Sequence, residues 1–301
     1  MARARAFCPG HVTGFFEICD IADEPDRCGS RGAGFSLNLG AYSDVELVAD
    51  GKRDIMITLN GEPSDAPVTR HAAKSLLGSS GHSVRIDTEL EFPAGQGYGM
   101  SAAGALSASL ALAKLLGLDA TRALWAAHCA EVINRTGLGD AVAAAFGGFE
   151  MRLEPGLPPY GTLEHFAVGD RYSVLICDLG GAIPTKGILG DEGKRAAISR
   201  LGGGCVREMR LNPTLERFMS LSLSFALDTG LAPECVREAI QAVAQCGAAS
   251  AKASMCMLGN SVFAVADSDD MGRVERALVD FGTVYRVEPH MRGASVVDSL
   301  P

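Results

Sequence analysis

Strand-like and helix-like runs follow one another along the chain without a regular strand–helix repeat. Residues 83–92, SVRIDTELEF, set apolar and polar side chains at alternate positions, the period of a half-buried strand. Other strand-like runs cover 2–8, 45–49 and 54–59, and helical runs cover 68–77, 101–116, 121–134 and 140–145. The run at 101–116 is so rich in alanine and leucine that it predicts a buried helix. Gly147-Gly148 ends the last of these helices, and 149–153 reads as a returning strand. In the second half, 172–177 has the character of a buried strand and 191–246 that of polar-faced helices. Residues 261–267, 269–282 and 283–289 then read as strand, helix and strand, which a split β-α-β unit of the ferredoxin-like kind accommodates. The pattern predicts an α+β protein of two domains, 1–168 and 169–301, with LPPYG at 157–161 as a plausible break near mid-chain.

Composition narrows the class of partner. With 301 residues, 47% of them hydrophobic, the chain can bury a substantial core. A net charge of −9 and the lack of any basic stretch argue against a nucleic-acid partner. The most apolar segment, 102–118, contains Ser107, Ser109 and Lys114 and suits a core helix better than a membrane span. The N-terminal MARARAFCPG lacks the apolar stretch of a signal peptide. Nine cysteines without a C-x-x-C pair suit reduced thiols in a cytoplasm rather than a zinc cluster or a disulfide framework. The expectation is a cytoplasmic protein with neither nucleic acid nor membrane as partner.

The most chemical segment is PAGQGYGMSAAG at 93–104, which follows the strand-like run 83–92 and opens the buried helix. Glycine lets backbone N–H groups crowd onto an anion, and the N-terminus of a helix starting near Ser101 adds unpaired N–H groups and a positive dipole end. Strand, glycine loop and helix therefore predict a phosphate cradle, although the string fits neither the P-loop nor the dinucleotide G-x-G-x-x-G. In AAHCAEVINRTGLGDAVAAAFGG, 126–148, a Thr-Gly-Leu-Gly break separates Glu131 and Asp140. The two could be a solvated helix side chain and an N-cap, or a pair of working carboxylates. CPGHVTGFFEI at 8–18 carries an apolar strand into Pro9-Gly10 and then to His11 and Thr13. SAKASMCMLGNSVFAV at 250–265 resembles a core segment entering a strand.

The string P-x-G-x-G-x-G-x-S-A-A resembles the second motif of the GHMP kinase superfamily, the small-molecule kinases that include galactokinases, homoserine kinases and mevalonate kinases. Pro9-Gly10-His11 resembles the first motif. The resemblance implies the two-domain GHMP kinase fold, with an N-terminal domain like ribosomal protein S5 domain 2 and a ferredoxin-like C-terminal domain. It implies ATP held by Pro93, Gly95, Gly97, Gly99, Met100, Ser101, Ala102 and Ala103. It also implies Mg²⁺ held by Ser101 and Glu131, and Asp140 acting on the acceptor hydroxyl. That division suits phosphoryl transfer, in which placement and charge stabilisation do most of the catalysis.

The third motif departs from the superfamily pattern, keeping Gly259 but placing Met255, Cys256, Met257 and Leu258 where small residues usually stand. That departure, with SRGAGFSLNLG at 30–40, the His-x-Thr-Gly-Phe-Phe at 11–16 and RGAS at 292–295, is most similar to the archaeal pantoate kinases, and the similarity runs from about residue 2 to the end. It implies pantoate as the small-molecule substrate, phosphorylated to 4-phosphopantoate on the way to coenzyme A. The alternatives are a mevalonate- or homoserine-like acceptor, or a ligand sensor that has lost turnover. A homodimer is possible. His11, Thr13, Arg31 and Arg135 are candidates to bind the substrate, with Arg31 on a glycine-flanked loop able to fork onto a carboxylate. His128 and Lys186 are weaker candidates for that role.

Overall fold

A computed structural model describes residues 2–20, 24–48, 50–168, 172–181 and 185–297, with the side chains of 185 and 186 left out. The N-terminal part runs β1 (Ala2–Cys19), β2 (Gly29–Val48), β3 (Ile55–Leu59), β4 (Glu62–Pro63), α1 (Pro67–Leu77), β5 (Ser83–Leu90), α2 (Met100–Leu116), α3 (Ala120–Asn134), α4 (Asp140–Phe146), β6 (Phe149–Glu154) and β7 (Thr162–His165). The remainder runs β8 (Tyr172–Asp178), α5 (Thr185–Leu189), α6 (Glu192–Leu211), α7 (Leu215–Asp228), α8 (Glu234–Gln245), β9 (Lys252–Met255), β10 (Ser261–Asp267), α9 (Met271–Leu278), β11 (Thr283–Val287) and β12 (Ser295–Val297).

The protein is α+β, as its patterning implies, but its first two strands are far longer than the runs at 2–8 and 45–49. β1 and β2 form an antiparallel ribbon whose register shifts between Pro9 and His11 and again between Thr13 and Phe15. The first shift lets β2 change partners: its outer half pairs β5, and residues 32–35 pair β6. The first sheet has the order β12-β1-β2-β5-β3-β4, with β6 on β2 and β7 on β6. LPPYG at 157–161 is therefore the turn of the β6–β7 hairpin, inside this sheet, and not a break between domains.

The second sheet runs β11-β8-β10-β9 with every pair antiparallel. In chain order its strands are fourth, first, third and second, the split arrangement of a ferredoxin-like unit. Among the described residues four helices, α5 to α8, fill the crossover between β8 and β9. The chain then returns: β12 pairs with β1, so the first sheet takes the last strand of the expected 169–301 unit.

Alanine explains how α2 seats on the β1–β2 ribbon. Its residues 102–113 are buried throughout, and their small side chains let the helix lie between the sheet and α1 and α3. The two sheets share one apolar core, and Phe218 of α7 is its hub, with ring centroids 6.2 Å from Phe35, 6.4 Å from Phe149, 5.7 Å from Phe166 and 6.0 Å from Phe263. Among the described residues no helix is long and apolar enough to cross a membrane.

Candidate active site

A cleft opens where the β1–β2 ribbon, the start of α2, the α3–α4 break and the 256–259 turn meet. One wall is the glycine loop, with positive φ at Gly95 (82°), Gly97 (82°) and Gly99 (63°), the last capping α2. Gly95, Gly97, Gly99, Met100, Ser101 and Ala102 line the cleft. Pro93 and Ala103 are not among its lining residues; the Ala103 amide already donates to the Gly99 carbonyl at 2.9 Å. Ser101, the second residue of α2, is exposed and lines the cleft.

Glu131 reaches the cleft from the last turn of α3, fully buried, with the Ala141 amide donating to it at 3.4 Å. Burial first, and the negative charge of Asp140 second, push its carboxyl well above the usual range. Asp140 opens α4, yet it does not cap the helix, because the N-cap is Gly139 and no side-chain cap bond forms. Its carboxylate turns instead to the imidazole of His11, whose Nδ1 lies 3.1 Å from Oδ1. The other imidazole nitrogen, Nε2, lies 2.9 Å from Glu150 Oε1, which also accepts from Arg152 Nη1 at 2.5 Å.

Ionised carboxylates can only accept, so against two of them His11 donates from both nitrogens as an imidazolium. Burial works against that charge, but the bonds to Asp140 and Glu150 outweigh it and raise the His11 pKa. Burial likewise opposes the charge on Asp140, and the His11 bond, the His11 charge, Arg152 and Thr13 overcome it, so Asp140 lies below the usual carboxylate range. Its side chain keeps 30% exposure, toward the cleft.

The tertiary structure separates the remaining predicted site residues. Thr13 lines the cleft, and its Oγ1 lies 3.5 Å from Asp140 Oδ1 and accepts from Arg152 Nη2 at 3.4 Å. His11 is buried beneath the cleft with both nitrogens occupied, and so it acts behind Asp140 rather than on a ligand. Arg31 lies in strand β2, not on a loop, and its Nε and Nη2 clamp Glu17 Oε2 at 2.9 and 2.6 Å. Strand alternation explains this: Ser30 points into the cleft, so Arg31 points away. Arg135 sits exposed at the left-handed C-cap of α3 and is not part of the lining. His128 Nε2 lies 2.9 Å from the Cys28 carbonyl in the core, where burial lowers its pKa; the Lys186 side chain lies outside the described residues.

The cation that does line the cleft is Arg152, opposite Gly32 in the β2–β6 pairing. It is 3% exposed, and its Nε has no hydrogen-bond partner among the described residues. Sequence reasoning passed over it. Phe149 to Glu154 alternates apolar and polar side chains as an ordinary half-buried strand does, so nothing local marks Glu150 and Arg152 as buried.

This architecture has known relatives. Residues 67–148 match the family model for the GHMP kinases N terminal domain. The chain is 34% identical over 294 residues to a pantoate kinase of Thermococcus kodakarensis, covering 94% of each chain. A pantoate kinase of Methanospirillum hungatei is 32% identical over 300 residues, with 99% and 97% covered. A solved structure described as a phosphotransferase related to the CoA biosynthesis pathway superposes with a TM-score of 0.86 at 32% identity, covering 98% of this chain and 99% of that one. The chain belongs to the GHMP kinase family, in the pantoate kinase branch that these relatives define.

Proposed function

We propose that this protein is an ATP-dependent pantoate kinase, transferring the γ-phosphoryl group of ATP to the 4-hydroxyl of pantoate and releasing ADP, 4-phosphopantoate and a proton, as a step toward coenzyme A. The observation that carries this reading is the pairing of two unlike poles on one cleft beside the glycine loop. Asp140 is an ionised carboxylate held for a hydroxyl, and Arg152 with Ser30 is a buried cationic pole for a carboxylate.

In this reading the glycine loop and the first turn of α2 receive the phosphates through backbone N–H groups. Arg152, with its unpartnered Nε, and Ser30 receive the carboxylate of pantoate. Asp140 accepts the hydrogen bond of the 4-hydroxyl and fixes its line of attack. A lowered pKa makes Asp140 a weak base, which suits a loose transition state: the alcohol proton becomes acidic only as its oxygen bonds to phosphorus, and Asp140 takes it then. Its pairing with His11 prevents it from rotating away.

The Ser101 hydroxyl and the buried carboxylate of Glu131, an all-oxygen pair with room for water ligands, fit Mg²⁺. When bound, the ion would neutralise charge on the phosphate oxygens.

A coupled assay of ADP release against pantoate, mevalonate, homoserine and galactose tests the proposal. Turnover should be fastest with pantoate by a wide margin; faster turnover of any other acceptor overturns it.

A further inference from the structure

The 256–259 turn, where the chain departs from the small residues of its family, is built into the cleft from two sides. On one side it is fused to the glycine loop: a Cβ on Gly97 would lie 2.7 Å from the Cys256 carbonyl, and one on Gly259 would collide with the Gln96 carbonyl. Ser261 Oγ donates to that same Gln96 carbonyl at 2.5 Å. On the other side the Met257 amide donates to the carbonyl of Thr13 at 3.2 Å, and Thr13 is the residue that touches both Asp140 and Arg152. The turn therefore abuts the gap between the two poles of the acceptor site.

Its backbone has an unusual feature. Leu258 has φ of 63°, a left-handed conformation that glycine or asparagine adopts far more readily. A leucine retained there costs conformational strain and gains only its side chain, which is half-buried and lines the cleft beside Met257.

Pantoate carries between its carboxylate and its 4-hydroxyl a quaternary carbon with two methyl groups, an apolar centre flanked by polar ends. Building on the pantoate reading, we infer that Met257 and Leu258 form the apolar wall that receives this dimethyl carbon and makes the enzyme reject acceptors without it. An acceptor that spans Arg152 and Asp140 presents its middle carbons to the turn that Thr13 holds. Removing methyl groups from a hydrophobic pocket's ligand costs about 10- to 200-fold each in specificity.

The test compares pantoate with 2,4-dihydroxybutanoate, which keeps the carboxylate and both hydroxyls but lacks the methyls, in wild type, Leu258→Gly and Leu258→Asn. Both substitutions suit a left-handed backbone, so the turn survives, and a melting curve checks this. Wild type should prefer pantoate by about 100-fold or more in kcat/KM. In both variants that preference should fall about tenfold, through a higher KM for pantoate, while KM for ATP and turnover of the dimethyl-free acceptor hold steady. Equal losses on both acceptors, a rise in KM for ATP instead, or an unchanged preference overturns the inference while leaving the kinase reading intact. Failure of wild type to phosphorylate pantoate overturns both.

Discussion

At the scale of single residues, the His11–Asp140 pair is what holds the acceptor hydroxyl in the proposed mechanism. Asp140→Asn keeps the shape of the side chain and, since Asp140 caps nothing, leaves the helix start as it is. It removes the charge that attracts the hydroxyl proton, and kcat should fall at least about 100-fold with pantoate binding by calorimetry nearly unchanged. The same pair has a signature in pH. Asp140 is depressed in the fold, so its stabilisation is present above the unfolded value of about 3.9 and lost as pH falls through the lowered one. His11 is raised, so its share is full below about 6.5 and lost as pH climbs through the raised value. The pair's own share of the melting temperature should therefore decline on both sides of a window of about pH 4 to 6.5, and the difference between wild type and His11→Gln should shrink as pH rises above it. Arg31 and Arg152 give opposite expectations. Arg152→Met should raise KM for pantoate about 10- to 100-fold, the size of a charge-assisted pair, whereas Arg31→Met, which breaks contacts with Glu17 and Cys19 outside the cleft lining, should leave it within about twofold.

At the scale of elements, the glycine loop proposed to bind phosphate touches the 256–259 turn without space for a side chain between them. Gly259 has no room for a Cβ against Gln96, so Gly259→Ala must push the glycine loop away from its place at the start of α2. KM for ATP should rise at least about tenfold, with far-UV circular dichroism unchanged, since a displacement of about 1 Å at a reacting centre is worth about two orders of magnitude. An unaltered KM for ATP would mean that the loops are not coupled. Helix and strand positions were legible along most of the chain because local periodicity records which face is buried: α1, α2, α3, β5 and β10 lie within a residue or two of the runs read from the sequence. The lengths of β1 and β2 were not legible. His-Val-Thr-Gly-Phe-Phe and Ser-Arg-Gly-Ala-Gly carry polar and glycine residues because the ribbon lines a cleft, and those residues resemble a loop when read locally.

At the scale of the whole molecule, the two sheets are welded through Phe218, whose ring meets aromatic side chains from β2, β6 and β10. Phe218→Ala leaves a cavity at that junction and should destabilise the fold by about 3–5 kcal/mol. If the weld is continuous, chemical unfolding of the variant stays a single transition followed equally by Trp125 fluorescence and far-UV circular dichroism; two separated transitions would show that the sheets are independent.

The sequence by itself determined the class of fold and marked the glycine loop, the helix start, Ser101, Glu131 and Asp140 as candidates, because each of these is written in contiguous residues, and all of them meet at one cleft. Which cation faces the cleft was decided only by tertiary structure. Arg31 and Arg152 lie more than a hundred positions apart, on neighbouring strands of one sheet, and only the register of β2 against β6 turns Ser30 and Arg152 into the cleft and Arg31 out of it. The role of His11 was decided in the same way, since an imidazole caught between the carboxylates of Asp140 and Glu150 becomes a charged support only after three distant segments have packed around it.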